Sequence, residues 1–346
     1  MTRTGLVLGI ETSCDETAAA VVERGRHIRS NIIASQVSVH QRYGGVVPEI
    51  ASRKHIEWIM PVIDAALKEA GVQLRQLAAI AATKGPGLVG GLLVGLSAAK
   101  ALAFAADLPF IGVNHIEGHI YANVLANPHL EPPVVCLTVS GGHTDLLYIP
   151  KFGEYEKIGG TRDDAAGEAF DKIARVLGLP YPGGPQISAL AETGCQESIA
   201  FPRGLAEPGN YDFSFSGLKT AAVNYIHGCR QRGEEFSLPD FAASFQWAII
   251  DSLTKKTLAA ANEWNVKTIL LSGGVGANRT FRSHLQKEAS VLEFDVFFPP
   301  PELCTDNAAM ISSAGYFRCA AGHRDTLDLN AQATLPLGGQ VKGGRP

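Results

Sequence analysis

The chain has 346 residues, 46% of them hydrophobic and 18% charged, with a formal net charge of −4. That length exceeds one ordinary domain and provides for two cores, while the acidic balance excludes a global basic footprint. Contact with nucleic acid would therefore rest on local patches such as Arg53-Lys54-His55 or Arg279, Arg282 and Lys287. The six cysteines (14, 136, 195, 229, 304 and 319) lack CxxC spacing, which excludes a zinc knuckle or a disulfide framework and suits a reducing compartment.

Residues 6–10 form a continuous apolar run, as expected of a central strand buried on both faces. A polar turn over 11–17 and a returning strand over 18–22 complete a hairpin, and its tip carries hydroxyls and the adjacent acids Asp15 and Glu16. A third strand is expected over 27–33. Pro48 opens a long helix with Ile50, Ile56, Ile59, Ile63, Ala66 and Leu67 on one face, and Gly71 ends it. Residues 77–83 read as a strand, followed by a glycine-rich turn and a small-residue helix over about 90–106. The apolar run over 88–106 is interrupted by glycines, Ser97 and Lys100, so it reads as a buried helix and not a membrane span. Without a signal-peptide core at its start, the chain is expected to be soluble and cytoplasmic.

A short strand over 111–113 delivers the chain to Asn114-His115-Ile116-Glu117-Gly118-His119. If this stretch is helical, His115 and His119 stand one turn apart on one face, roughly 5–6 Å between Cβ atoms, within reach of one cation. Two ligands do not close a site, and Asp306, at the start of a small-residue helix, is the candidate third. An HExxH metalloprotease is disfavoured, because Ile116 stands where the glutamate belongs and Glu117 lies off the ligand face.

After a proline-containing linker, a strand over 134–139, the tip Ser140-Gly141-Gly142-His143-Thr144-Asp145 and a return over 146–149 repeat the opening plan. Such tips form backbone N–H cradles for phosphate, in which glycine lets the main chain approach an anion closely. Asp163 and Asp164 precede a helix over 167–177, which carries Glu168 and Asp171 one turn apart on a face that otherwise reads as solvated. Phe213-Ser214-Phe215 alternates like a core-facing edge, and residues 238–264 form a long helix with Phe241, Phe245, Ala248, Ile249 and Leu253 inward. A strand over 266–271 runs into Ser272-Gly273-Gly274-Val275-Gly276-Ala277-Asn278 and a helix start, an anion or nucleotide site that lacks the Walker lysine. A last strand over 294–298, a last helix over 306–321 and a glycine-rich tail after Gly338, expected to be disordered, complete the chain.

Taken together, residues 11–17 (ETSCDET), 44–49 (GGVVPE), 85–88 (GPGL), 115–119 (HIEGH), 139–144 (VSGGHT), 213–219 (FSFSGLK), 272–278 (SGGVGAN) and 304–307 (CTDN) resemble the bacterial tRNA N6-adenosine threonylcarbamoyltransferases, the TsaD family. The motifs run in order along nearly the whole chain; Gly276 and Asn114 depart from the residues common in that family. The resemblance implies an α/β, two-lobed actin/Hsp70/sugar-kinase-like (ASKHA) fold with a duplicated mixed-sheet core and an interlobe nucleotide cleft. Lobe I would comprise residues 1–130 plus about 307–338, lobe II 131–306, with 339–346 as the disordered tail.

It also implies transfer of the threonylcarbamoyl group from threonylcarbamoyl-adenylate to N6 of the adenosine 3′ of the anticodon in tRNAs reading ANN codons, with release of AMP. The family's metal ligands carry over to His115, His119 and Asp306, with iron as the first choice and zinc or magnesium as alternatives. Its substrate contacts carry over to Thr138, Val139, Ser140, Gly141, Gly142, Asp171, Gly184 and Asn278. Asp15 or Glu16 is the candidate for the base or for orienting the tRNA, the alternative being a turn acid that bonds its own backbone. The implied partners are tRNA, a TsaB-like paralogue and a TsaE-like ATPase. A non-catalytic nucleotide- or metal-binding module of the same fold is the alternative function.

Overall fold

The computed structural model describes residues 5–340. In chain order the elements are β1 (Leu6–Glu11), β2 (Glu16–Glu23), β3 (His27–Ser35), α1 (Val37–His40), α2 (Pro48–Ala70), β4 (Ala79–Gly85), α3 (Val89–Ala106), β5 (Phe110–Asn114), α4 (His115–Ala126), β6 (Val134–Val139), β7 (Thr144–Lys151), β8 (Glu154–Gly160), α5 (Ala166–Val176), α6 (Gly183–Ala191), α7 (Ser216–Arg232), α8 (Leu238–Glu263), β9 (Thr268–Ser272), α9 (Arg279–Val291), β10 (Asp295–Phe297), α10 (Pro301–Cys304), α11 (Ala308–Ala320) and β11 (Gly339–Gln340). They fall into two compact units, Met1–Leu130 with Pro299–Leu337 and Glu131–Phe298 with Gly338–Pro346.

The first unit holds a five-stranded sheet in the order β3-β2-β1-β4-β5, antiparallel through β1, β2 and β3 and parallel through β1, β4 and β5. β1 is buried along its whole length, as its unbroken apolar run requires. α11 crosses it at Gly9, where a Cβ would lie 2.4 Å from Ala308 O, and Ser312 Oγ donates to Val7 O at 2.6 Å. The small residues of α11 are what allow this approach of helix to strand. The segment joining this unit begins at Pro299, earlier than the expected 307, because α10 packs on α4 and buries Leu303 and Cys304.

On α2, Ile59, Ile63 and Ala66 are buried as expected, but Ile56 is 66% exposed. His55 takes the inner position instead, bonded through Nδ1 to Thr17 Oγ1 at 2.8 Å and through Nε2 to Cys14 O at 2.9 Å. α3 is long and apolar enough by length and composition to cross a membrane. Its inner face nevertheless packs within the unit on α2 and β4, with Gly91, Leu92, Gly95, Leu96, Ala99 and Ala103 buried.

The second unit repeats the plan in a sheet of order β10-β9-β6-β7-β8-β11, antiparallel through β6, β7 and β8 and parallel through β6, β9 and β10. The duplication read from the two hairpins thus extends to the whole strand order. Phe213 and Phe215 are buried, and Phe241, Phe245, Ala248, Ile249 and Leu253 of α8 all face the core. β11 pairs in parallel with β8, Gly339 opposite Glu156 and Gln340 opposite Lys157, within the segment expected to form the tail. Residues 341–346 of that expected tail lie outside the described residues.

Candidate active site

In the first unit, α4 starts directly at the end of β5 because Asn114 caps it, its side-chain oxygen accepting from Ile116 N at 2.8 Å. The helix sets the His115 and His119 rings edge to face, with centroids 4.7 Å apart. Asp306 arrives just ahead of α11, whose own cap, Asn307, accepts from Met310 N at 3.1 Å. Asp306 Oδ1 lies 3.5 Å from His115 Nε2 and 3.2 Å from His119 Nε2, and one ligand atom from each of the three residues falls within 4.8 Å of the others. Ligands around one ion with metal–nitrogen bonds of 2.0–2.1 Å stand about 3.0–3.4 Å apart, close to the spacing of Asp306 from each histidine, so the three residues could hold a single cation once the histidines close on it.

Chemistry supports the fit. Both ring nitrogens of His119 are buried without a hydrogen-bond partner, an arrangement whose cost a coordinated ion would remove. His115 Nδ1 instead meets Glu11 Oε2 at 2.9 Å and Ser13 Oγ at 3.1 Å. A carboxylate only accepts, so Nδ1 carries the hydrogen and Nε2 is left as the donor atom for metal. Burial alone would lower the His115 pKa, but the carboxylates of Asp306 and Glu11 outweigh it and raise it to about 9.

Glu11 is the residue that sequence reading missed. Its carboxylate also accepts from Ser13 N at 2.6 Å and Thr83 Oγ1 at 2.7 Å, tying the strand end to His115. The available signal was an acid closing an otherwise apolar buried strand. Glu117, between the two histidines, lies 3.3 Å from Arg318 of α11 and holds the two helices together.

At the neighbouring turn Asp15 is buried, with Oδ2 lacking a hydrogen-bond partner, and half-buried Glu16 accepts from Ser35 Oγ at 3.1 Å. α3 packs closely on the start of the same turn: a Cβ on Gly91 would lie 2.5 Å from Thr12 O. Burial and the negative charges of Asp15 and Asp306 push the Glu16 carboxyl far above the ordinary range, so it holds its proton at neutral pH.

In the second unit, Thr138 and Val139 end β6 in full burial, and Ser140, Gly141 and Gly142 turn the chain, Ser140 N donating to His143 O at 2.8 Å. Gly141 and Gly142 are exposed, and a Cβ on either would meet nothing within 4 Å. Their glycines answer no demand of the chain itself and leave room for a ligand at the backbone. Val139 is flanked by Gly273, at φ +87°, where a Cβ would lie 2.4 Å from Val139 O. Asp171 accepts from Gly183 N at 2.7 Å and so fixes the start of α6, which carries Gly184. Asn278 caps α9 through Phe281 N at 2.9 Å and reaches Gln246 Oε1 at 2.7 Å and Ser188 Oγ of α6 at 3.4 Å. Asp171, Gly184 and Asn278 are thereby linked through α5, α6 and the start of α9.

A family model described as "TsaD: tRNA N6-adenosine threonylcarbamoyltransferase" matches residues 27–313. The chain belongs to that family. It is 55% identical over 332 residues to the tRNA N6-adenosine threonylcarbamoyltransferase of Caldicellulosiruptor saccharolyticus, covering 96% of this chain and 98% of the relative. Identity to the Bacillus cereus transferase is 54% over 338 residues, covering 97% of this chain and 98% of the relative. Among solved structures, HypF from T. kodakarensis superposes with a TM-score of 0.62 at 16% identity, over 92% of this chain and 48% of HypF. Component A of the Acidaminococcus fermentans (R)-2-hydroxyglutaryl-CoA dehydratase superposes at 0.52 with 14% identity, over 91% of this chain and 99% of that one. Those two likenesses concern the fold; the threonylcarbamoyltransferase relatives span nearly the whole chain.

Proposed function

We propose that this threonylcarbamoyltransferase moves the threonylcarbamoyl group of threonylcarbamoyl-adenylate to N6 of the adenosine 3′ of the anticodon in tRNAs reading ANN codons. AMP is released, and a divalent ion, iron first and zinc or magnesium otherwise, is held by His115, His119 and Asp306. The observation that supports the metal reading most directly is His119, whose buried ring nitrogens have no hydrogen-bond partner and whose Nε2 lies 3.2 Å from Asp306 Oδ1. When bound, the ion supplies Lewis acidity and positive charge to the donor.

The exocyclic amine of adenine is a weak nucleophile, since its lone pair is delocalised into the ring. As N6 bonds to the carbamoyl carbon, the carbon–oxygen bond to the phosphate breaks, AMP leaves as an anion and a proton must be taken from N6. Asp15 is the base in this reading; Glu16, already protonated, donates a hydrogen bond. The backbone at Thr138, Val139, Ser140, Gly141 and Gly142 receives the adenylate phosphate, with the N-terminal end of α5 beside it. Asp171, Gly184 and Asn278 shape the nucleoside end. A TsaB-like paralogue, a TsaE-like ATPase and action in the cytoplasm without a membrane belong to the same reading.

The test is His119→Ala, with bound metal measured by elemental analysis and transfer measured by nucleoside mass spectrometry on unmodified tRNA. Metal content and turnover are expected to fall together in a folded protein. A variant that keeps full metal and full turnover removes the triad.

A further inference from the structure

Two features of the second unit remain unused by this chemistry: the aromatic-serine run over 213–219 and the adjacent acids Asp163 and Asp164. They meet each other. Asp163 accepts from Ser214 Oγ and Ser216 Oγ, each at 2.6 Å, and from the backbone N–H groups of Phe215 at 2.8 Å and Ser216 at 3.2 Å. It therefore closes the open N-terminal turn of α7. Asp164 binds Lys172 of α5 at 2.7 Å and also Lys219 of α7, and its carbonyl oxygen accepts from Thr161 Oγ1 at 2.6 Å. Burial opposes charge on Asp164, but the two ammonium groups outweigh it and hold the carboxyl below the ordinary range.

The residues that follow Asp164 touch the adenylate tip directly. Ala166 N donates to Thr144 Oγ1 at 3.0 Å, and Gly167 N donates to Ser140 O at 3.2 Å. A Cβ on Gly167 would lie 2.5 Å from Ser140 O and 2.8 Å from Gly141 Cα, so no side chain separates the first turn of α5 from the backbone of residues 140–142. Whatever sets the height of that turn also sets the N–H groups of the tip. Lys172 ties Asp164 only to its own helix, two turns on. Lys219 ties Asp164 itself to α7, whose first turn the adjacent Asp163 also caps and which the buried Phe213, Phe215 and Leu218 hold in place without help from the lysine.

We infer that Lys219, acting through Asp164, is a positioning residue that holds the first turn of α5, and with it the backbone of residues 140–142, at the height that receives the adenylate phosphate. This rests on the adenylate reading of that tip given above. The clamp has the geometry of preorganisation: two helices joined by one carboxylate, immediately ahead of the backbone that binds an anion. Loss of the lysine removes the ion pair that pins Asp164 to α7 while the Asp163 bonds and the buried face of α5 remain, so the first turn of α5 can shift by fractions of an ångström, enough to misplace N–H donors while the core stays intact.

The experiment compares Lys219→Met, Lys219→Arg and Gly141→Val in the full chain. AMP affinity is measured by calorimetry, single-turnover transfer from threonylcarbamoyl-adenylate to tRNA is followed, and thermal unfolding is recorded. Lys219→Met is expected to weaken AMP about 10- to 100-fold and to raise the adenylate concentration needed for half-maximal rate, with bound metal and tRNA affinity unchanged. Lys219→Arg, which keeps charge and donors, restores most of the affinity; a purely structural role would move unfolding temperature without this split. If Gly141→Val weakens AMP while Lys219→Met does not, or if arginine fails to rescue, the positioning role is overturned and the adenylate reading stands. If Gly141→Val leaves AMP binding unchanged, the adenylate reading fails and the inference falls with it.

Discussion

Asp15-Glu16 in the first unit and Asp163-Asp164 in the second are both adjacent acids beside a strand end, yet they reach opposite electrostatic states. Among the described residues, Asp15 and Glu16 form no ion pair; Asp15 has a buried oxygen without a partner, and Glu16 is driven to hold its proton. Asp163 and Asp164 are wrapped by hydroxyls, backbone N–H groups and two ammonium groups, and burial notwithstanding both carboxyls sit below their ordinary range. The same dipeptide chemistry thus yields an under-bonded pair with a raised carboxyl where donors are few and a pair of lowered, fully bonded carboxyls where donors are supplied.

The sharpest way to break this contrast is to remove charge from the first pair. Asp15→Asn keeps shape, and single-turnover transfer is expected to fall by on the order of 10²–10⁴ with fold and adenylate affinity kept, whereas Glu16→Gln, replacing a group already neutral, costs far less. Equal losses for both variants would erase the distinction. In the second pair the largest effect is on stability: Asp163→Ala uncaps α7 and is expected to cost about 1 kcal/mol, read from native-state hydrogen exchange at the start of that helix.

The smallest effect is in pH dependence, and the sign differs between the pairs. Asp163 and Asp164 have folded pKa values below the unfolded value of about 3.9, so their stabilisation is present above that pH and is lost as pH falls through the folded values. Glu16 has a folded value above the unfolded value of about 4.3, so its contribution is present below that pH and fades as pH rises toward the folded value. In metal-free protein, Glu16→Gln is therefore expected to raise the unfolding temperature at pH 8 and to leave it nearly unchanged at pH 4. A uniform shift across both pH values would show that Glu16 is not the titrating group.

Much of the molecule follows from local chemistry. The unbroken apolar run of β1, the Gly71 stop of α2, at φ +67°, and the inward stripe of α8 are legible because each depends on residues within a turn or a strand of one another. The spacing of His115 and His119 is of this kind as well. The duplicated plan was visible in the two hairpins, and the strand orders completed it.

Tertiary structure alone decided the rest. Glu11 becomes the partner of His115 across 104 positions, and Asp306 reaches the same histidine from the turn just ahead of α11. Ile56 faces outward because His55 finds two hydrogen bonds inside, which no helical periodicity encodes. The run over 213–219 looked like a core edge, and it is one, but its serines and lysine find their acids some 50 positions earlier. Periodicity assigns faces from neighbours in the chain. Charge state and hydrogen-bond satisfaction depend on which distant groups share a desolvated space, and that is set only when the elements pack.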